Sequence, residues 1–300
     1  MKTRIMQEEP NDPPPGEVSV TTRPTEHVAG SAPTNGWTGF RALVRRYELV
    51  IFFALSYLIA WSTVPFGSFL AFAPLVSALI VIFIAEGLPG LAQLGRRVIR
   101  WRVNWIWYAA AIILPLLVHA MAIGLNMAAG APAPSFAQFQ PWYAVLLLFA
   151  LRMVNPTDGP LGEEPAWRGF VQPRLQSKWS PLASATLLGL LITGWHLPLV
   201  FMPQFDLGFP DIATTVVVTF WYAWLFNRTG GSVLLPLIAH ATEGSINTQA
   251  LWSAGPAADR QAWMWLIAWA LLVVVLLIFD RKSWRTAPES AIDRVPGRKS

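Results

Sequence analysis

The stretch Gly162-Glu163-Glu164-Pro165-Ala166-Trp167-Arg168-Gly169-Phe170 sets two adjacent carboxylates and an arginine between long apolar segments in which acids are otherwise scarce. Just upstream, Asn155-Pro156-Thr157-Asp158-Gly159-Pro160 is a dense run of helix breakers. The pattern predicts a new helix starting near Leu161 or Gly162. Pro165 then falls in the first turn, whose N–H groups have no intrahelical partner. Glu163 and Glu164 fall where the helix dipole favours negative charge.

Residues four apart share a helix face, so Glu164 can pair with Arg168. Glu163 lies about 100° further round and can point elsewhere. Two neighbouring carboxylates in an apolar site suit one of them to general-base chemistry near neutral pH. The same residues also fit a plain helix start with dipole-compensating acids and an ion pair.

Outward from this stretch, apolar runs near 48–65, 69–87, 105–127, 142–154, 181–201, 211–226, 232–252 and 262–279 predict an all-α, polytopic membrane protein of about eight transmembrane helices. Arg41, Arg45, Arg46, Arg96, Arg97, Arg100, Arg102, Arg152, Arg168, Arg174, Lys178, Arg228, Arg281, Lys282 and Arg285 fall in alternate loops. The opposite loops carry Asp206, Asp211, Asp259 and Arg260. This alternation predicts both termini in the cytoplasm, residues 155–180 on the cytoplasmic side and the cell membrane as location. Residues 88–104, with Leu88, Leu91, Leu94, Val98 and Trp101 among arginines, read as an amphipathic surface helix.

Composition agrees. The 300 residues are 54% hydrophobic and 13% charged, against about 25% charged in soluble domains. The net charge of +5 comes from arginines at the ends of apolar runs, which reads as headgroup anchoring rather than nucleic-acid binding. With no cysteine, disulfides, thiolate metal sites and cysteine nucleophiles are excluded. Residues 1–40 read as a disordered cytoplasmic tail, 41–282 as a helical membrane domain and 283–300 as a basic cytoplasmic tail.

Ionisable side chains inside spans are costly and tend to be functional. His196 ends the fifth predicted span and His240 lies within the seventh. Each alone also fits a hydrogen-bonded packing residue. His119 reads as packing or pore-facing, and Glu48 and Glu86 as span-end groups. Glu243, three residues after His240, is placed to orient its ring. Asn247 returns to the face of His240 two turns on, if the helix continues, and is a weaker site residue.

There is no His-Glu-x-x-His zinc motif, Gly-x-Ser-x-Gly elbow, P-loop or Gly-x-Gly-Asp run. What remains is a carboxylate pair with membrane histidines. Glu163-Glu164-x-x-x-Arg168-Gly169-Phe170 followed by single histidines in two later spans resembles the CPBP family of intramembrane peptidases, which includes the type II CAAX prenyl endopeptidases and bacteriocin-processing enzymes. The resemblance covers roughly residues 45–255. Two positions depart from the family motifs: Ile192 stands for the Phe of Phe-x-x-x-His, and Gly244 for the Asn of His-x-x-x-Asn.

The resemblance implies an endopeptidase acting on a membrane-anchored or lipidated peptide in a helical cavity open toward the cytoplasm, with Glu163 activating water and Glu164 supporting it and pairing with Arg168. His196 would bind the water or the scissile carbonyl, and His240 would stabilise the oxyanion, with Glu243 or Asn247 near the substrate. It leaves two forms of the chemistry open: no cofactor, or Zn²⁺ held by Glu163, His196 and His240. The departure at Gly244 keeps a non-catalytic scaffold or bacteriocin-immunity role as the alternative. A proton-coupled carrier is a third reading, but the broken-helix repeat it calls for is not seen.

Overall fold

The computed structural model describes residues 36–292, and every regular element among them is helical. The first half holds α1 (Gly36–Arg46), α2 (Glu48–Trp61), α3 (Ala73–Glu86), α4 (Leu88–Val98) and α5 (Trp105–Ala128). The second holds α6 (Tyr143–Val154), α7 (Gly159–Ala166), a π-helical turn (Trp167–Val171), α8 (Gln172–Gln176), α9 (Pro181–His196), α10 (Phe209–Arg228), α11 (Leu234–Gly244), α12 (Pro256–Phe279) and α13 (Arg281–Arg285). Proline starts several of them: it is first in α9 and α12 and second in α3, α4, α7 and α10. At these positions no intrahelical N–H is lost. Asn104 and Ser180 cap α5 and α9 by accepting from Ile106 N and Ala183 N.

Five helical stretches are long and apolar enough to cross a membrane: Glu48–Phe66, Trp105–Ala128, Pro181–Phe201, Phe209–Arg228 and Pro256–Phe279. The other three expected spans, 69–87, 142–154 and 232–252, are helices of 14, 12 and 11 residues, so the count of eight does not follow from helix length. The third of these stops at Gly244.

The largest departure from the expected layout is at residues 159–176. Here α7, the π turn and α8 form one uninterrupted run, with every residue from Gly162 to Gln176 buried. The run joins two ends of the bundle. Gly162 lies against the α2–α3 turn, where a Cβ would meet Ala71 O at 2.9 Å. About three turns on, Arg174 pairs with Glu48 at 2.9 Å and with Glu86, at the opposite ends of α2 and α3. Residues 155–180, expected between two spans, therefore contain an internal helix that runs the length of α2 and α3. Hydropathy misses it because its neighbours, not lipid, surround it, so its polar side chains find protein partners. Gln172 and Gln176 both donate to Asn227 Oδ1 on α10, at 3.3 and 3.0 Å.

The two ends differ in charge. At one, Arg41 and Arg45 donate to the last carbonyls of α3, Arg100 to Gly230 O, and Arg228 pairs with Asp280 at 3.7 Å. At the other, the connections 62–72, 129–142, 197–208 and 245–255 contain no lysine or arginine. The helix α4, as expected, is amphipathic, with Leu94 and Arg97 turned inward and Leu88 exposed.

The bound of the first expected tail needs correction, and the start of the last segment is packed. Helix α1 begins at Gly36, inside the 1–40 segment, and residues 1–35 lie outside the described residues. In 283–300, Trp284 and Ala291 are buried and Gln176 Nε2 donates to Ala291 O at 3.2 Å, so this start of the tail is packed. Residues 293–300 lie outside the described residues.

Between apolar helices in lipid, packing rather than water exclusion supplies the attraction. Aromatic contacts supply much of it here. Trp167 meets Phe52 edge-on at 5.5 Å and Trp195 at 5.7 Å, joining the π turn to α2 and α9. A second cluster, with Val118, Trp221, Ile238 and Trp269, joins α5, α10, α11 and α12.

Candidate active site

The site is built on α7. The helix begins earlier than expected, at Gly159, with Asp158 Oδ1 accepting from Gly159 N at 2.8 Å. Glu163 and Glu164 are thus in its second turn, and Pro165 is inside the helix. Pro165 cannot donate to the carbonyl four residues back, and the ladder passes into the π turn immediately afterwards. Such turns often occur at functional sites. Pro173 repeats the problem, and the carbonyl it leaves free, Gly169 O, accepts from Arg97 Nη1 at 2.9 Å.

The two glutamates face different partners, as their helical offset requires. Glu163 Oε2 accepts from Trp167 Nε1 at 3.1 Å, one turn on. Its Oε1 faces His196 Nε2 at 4.0 Å. Glu164 is 1% exposed and stands between two cations or potential cations: Arg168 Nε at 3.2 Å and His240 Nδ1 at 2.9 Å. The Arg168 contact lacks hydrogen-bond alignment, so it is a Coulombic pair. Tyr222 of α10 supports both partners, with the Arg168 guanidinium 5.3 Å from its ring centroid and the His240 ring stacked at 5.4 Å.

Each histidine is fixed by its Nδ1. His196 Nδ1 donates to Ile192 O at 3.0 Å, which turns Nε2 toward Glu163. His240 Nδ1 donates to Glu164. Its Nε2 points the other way: the position of a Cβ on Gly159 lies 3.4 Å from His240 Nε2 and 3.0 Å from Glu163 Oε1. The missing side chain at 159 is the gap between them.

These groups line a cavity of about 130 Å³. Glu164, Arg168 and Tyr222 are its buried floor, and Thr214, Thr215 and Asp211 carry its wall along α10 to that helix's first turn. The cavity thus extends from the middle of α10 toward the arginine-poor end.

Glu163, Glu164, Arg168, His196 and His240 are therefore brought together. Glu243 also lines the cavity, but Glu164 rather than Glu243 holds the His240 ring. The backbone carbonyl of Glu243 lies 3.2 Å from His119 Nε2, whose other nitrogen meets Thr248 Oγ1 at 3.1 Å, so His119 secures the end of α11. Asn247 does not return to the His240 face, because α11 ends at Gly244, and it is exposed in the following connection. The space beside Gly244 is taken by Arg152 of α6, whose Nη1 would lie 2.5 Å from a Cβ there. Arg152 also pairs with Asp158 at 3.4 Å.

Trp167, Gly159, Tyr222, Asp211 and Arg152 were not singled out as site residues from the sequence. Only Trp167 carries a local signal, four residues after Glu163 on the same face.

The donor set is a poor fit to zinc. Ligand atoms about 2.0–2.2 Å from one ion lie roughly 3.5 Å or less apart in a tetrahedral set. Glu163 Oε1 and His196 Nε2 are 4.0 Å apart, wider than that spacing, although His240 Nε2 is directed at the same gap. Among the described residues no group of three or more acids and histidines has the arrangement to hold a metal ion.

No curated protein matches the chain. The family model described as type II CAAX prenyl endopeptidase Rce1-like matches residues 140–244, the segment that carries Glu163, Glu164, Arg168, His196 and His240. The match covers about a third of the chain, and over that segment the chain is similar to the type II CAAX prenyl endopeptidases that its motifs resemble.

Proposed function

We propose that the protein is an intramembrane endopeptidase in which Glu163 activates water against a peptide carbonyl without a metal. One observation carries the reading: Glu163 Oε1 and His196 Nε2 face each other at 4.0 Å, and in the proposed mechanism both act as acceptors. That is too far for a direct hydrogen bond and close enough for one water to donate to both. A water held in this way presents its lone pair to the cavity.

Glu163 takes the proton as the water oxygen bonds to the carbonyl carbon, a general-base step worth typically 10²–10⁴-fold. His240, held by Glu164, offers Nε2–H to the developing oxyanion. The C–N bond breaks as the proton held by Glu163 passes to the leaving nitrogen, giving an amine and a carboxylic acid, whose remaining proton then passes to the amine to leave a carboxylate and an ammonium. Glu164 and Arg168 keep the histidine oriented and act through it.

The substrate class is a membrane-anchored peptide in a lipid bilayer. The test is cleavage of such peptides by the purified protein in lipid, beside Glu163→Ala and in the presence of a chelator. Loss of cleavage in the variant and none with the chelator is expected. Equal rates for variant and wild type would overturn the reading. The glycine at 244, whose side-chain space Arg152 fills, is the observation that favours a non-catalytic scaffold, which would keep its cellular effect in Glu163→Ala.

A further inference from the structure

We infer that the cavity takes its substrate from the non-cytoplasmic face, as a peptide segment already carried across the membrane. The inference rests on the proposed peptidase reading for the word substrate, and on geometry and charge for the side.

The helix that carries Glu163 runs from the α2–α3 turn to the arginine-rich end. Arg174 sits at that end, paired with Glu48 and Glu86. Glu163 and Glu164 are about 15 Å away along the axis, at 1.5 Å per residue. His196 is the last residue of α9, which starts beyond Lys178 at the arginine-rich end and finishes at the arginine-poor one. Three elements therefore put the reactive groups in the same half: α7, α9 and the first turns of α10.

The floor closes the cavity in the other direction. Arg168 and Glu164 are each 1% exposed and Tyr222 3%. Beneath them, Gln172 donates to Ala223 O at 3.1 Å and Gln176 and Asn227 bond each other, so no passage leads to the arginine-rich end.

Lysine and arginine near span ends mark the cytoplasmic side. The connections at the arginine-poor end, 62–72, 129–142, 197–208 and 245–255, have neither, and the basic residues there are Arg152, paired with Asp158, and Arg260, while the opposite end holds Arg41, Arg45, Arg96, Arg97, Arg100, Arg102, Arg174, Lys178, Arg228, Arg281, Lys282 and Arg285. The sequence count alone places Glu163 with the cytoplasmic loops because it treats 142–154 as a crossing helix. In the structure 159–176 makes that crossing and Glu163 changes sides. The reaction that supplies such a substrate is export of a polypeptide across the membrane.

The chain has no cysteine, so single thiols can be introduced as unique markers. Ala133→Cys marks an exposed position in the arginine-poor connection 129–142, Thr286→Cys an exposed one at the arginine-rich end and Thr215→Cys the cavity wall. Intact cells are treated with a membrane-impermeant maleimide, and with a small charged thiosulfonate for Thr215→Cys. Ala133→Cys and Thr215→Cys are expected to label in intact cells and Thr286→Cys only after permeabilisation. Labelling of Thr286→Cys in intact cells, with Ala133→Cys and Thr215→Cys protected until lysis, would overturn the inference. Neither outcome depends on peptidase activity, so this test fails or succeeds apart from the proposed function.

Discussion

Glu163 and His196 approach to 4.0 Å with neither directed at the other as donor, because Trp167 holds one carboxylate oxygen and Ile192 holds the far ring nitrogen. The two outer hydrogen bonds thus create the facing pair of acceptors. They also make the site sensitive to residues that never touch a substrate.

Trp167→Phe removes the donor to Glu163 while keeping an aromatic ring against Phe52 and Trp195. A carboxylate free to rotate loses its aim, and misplacement by about 1 Å can cost on the order of 10²-fold. The expected outcome is a fall in kcat of about 10- to 100-fold with little change in KM. A variant that alters KM alone would contradict the positioning role.

Gly159→Ala puts a methyl between Glu163 Oε1 and His240 Nε2, at 3.0 and 3.4 Å. The backbone there is ordinary helix, so the fold should survive. Activity should fall by roughly 10²-fold or more, as for other losses of oriented reacting groups, at an unchanged melting temperature. Full activity would mean that nothing reacts in this gap.

Arg168→Met leaves Glu164 buried with only His240 to balance it. Breaking a buried pair from one side typically costs about 3–5 kcal/mol. Glu164→Gln added to Arg168→Met removes the stranded charge and should restore much of the stability while leaving the protein inactive. Denaturation in detergent of the single and double variants measures this. Equal stability in both would show that the pair carries little energy.

The cavity is lined by Glu163, Glu164, Asp211 and Glu243 against one arginine, Arg168. A like-signed cleft concentrates ligands of the opposite sign by 10-fold or more. Peptides with lysine or arginine beside the scissile bond should be cleaved on the order of tenfold more efficiently than those with aspartate or glutamate. The preference should shrink with added salt. A reversed preference would contradict the charge assigned to the cavity.

The sequence made the reactive groups legible because their chemistry stands out against apolar neighbours. The i,i+4 pair of Glu164 and Arg168 and the divergence of Glu163 follow from helix geometry alone. The long apolar helices also match their expected ranges within a few residues. The internal helix 159–176 was not legible as a crossing segment, since a helix surrounded by protein need not be apolar. On the orientation inferred above, this helix is what moves Glu163 to the opposite side from the one the loop charges suggest. Asn247 failed for a related reason: the apolar run 232–252 does not show that α11 stops at Gly244. Tyr222 and Arg152 reach the site through tertiary packing, which leaves no local pattern.

A crystal structure in lipid that resolves ordered water tests the glutamate-activated mechanism most directly. The account predicts a water about 2.7–3.1 Å from both Glu163 Oε1 and His196 Nε2. A metal ion there, about 2.0–2.2 Å from these atoms, would contradict it, as would side chains too far apart for one water to bridge.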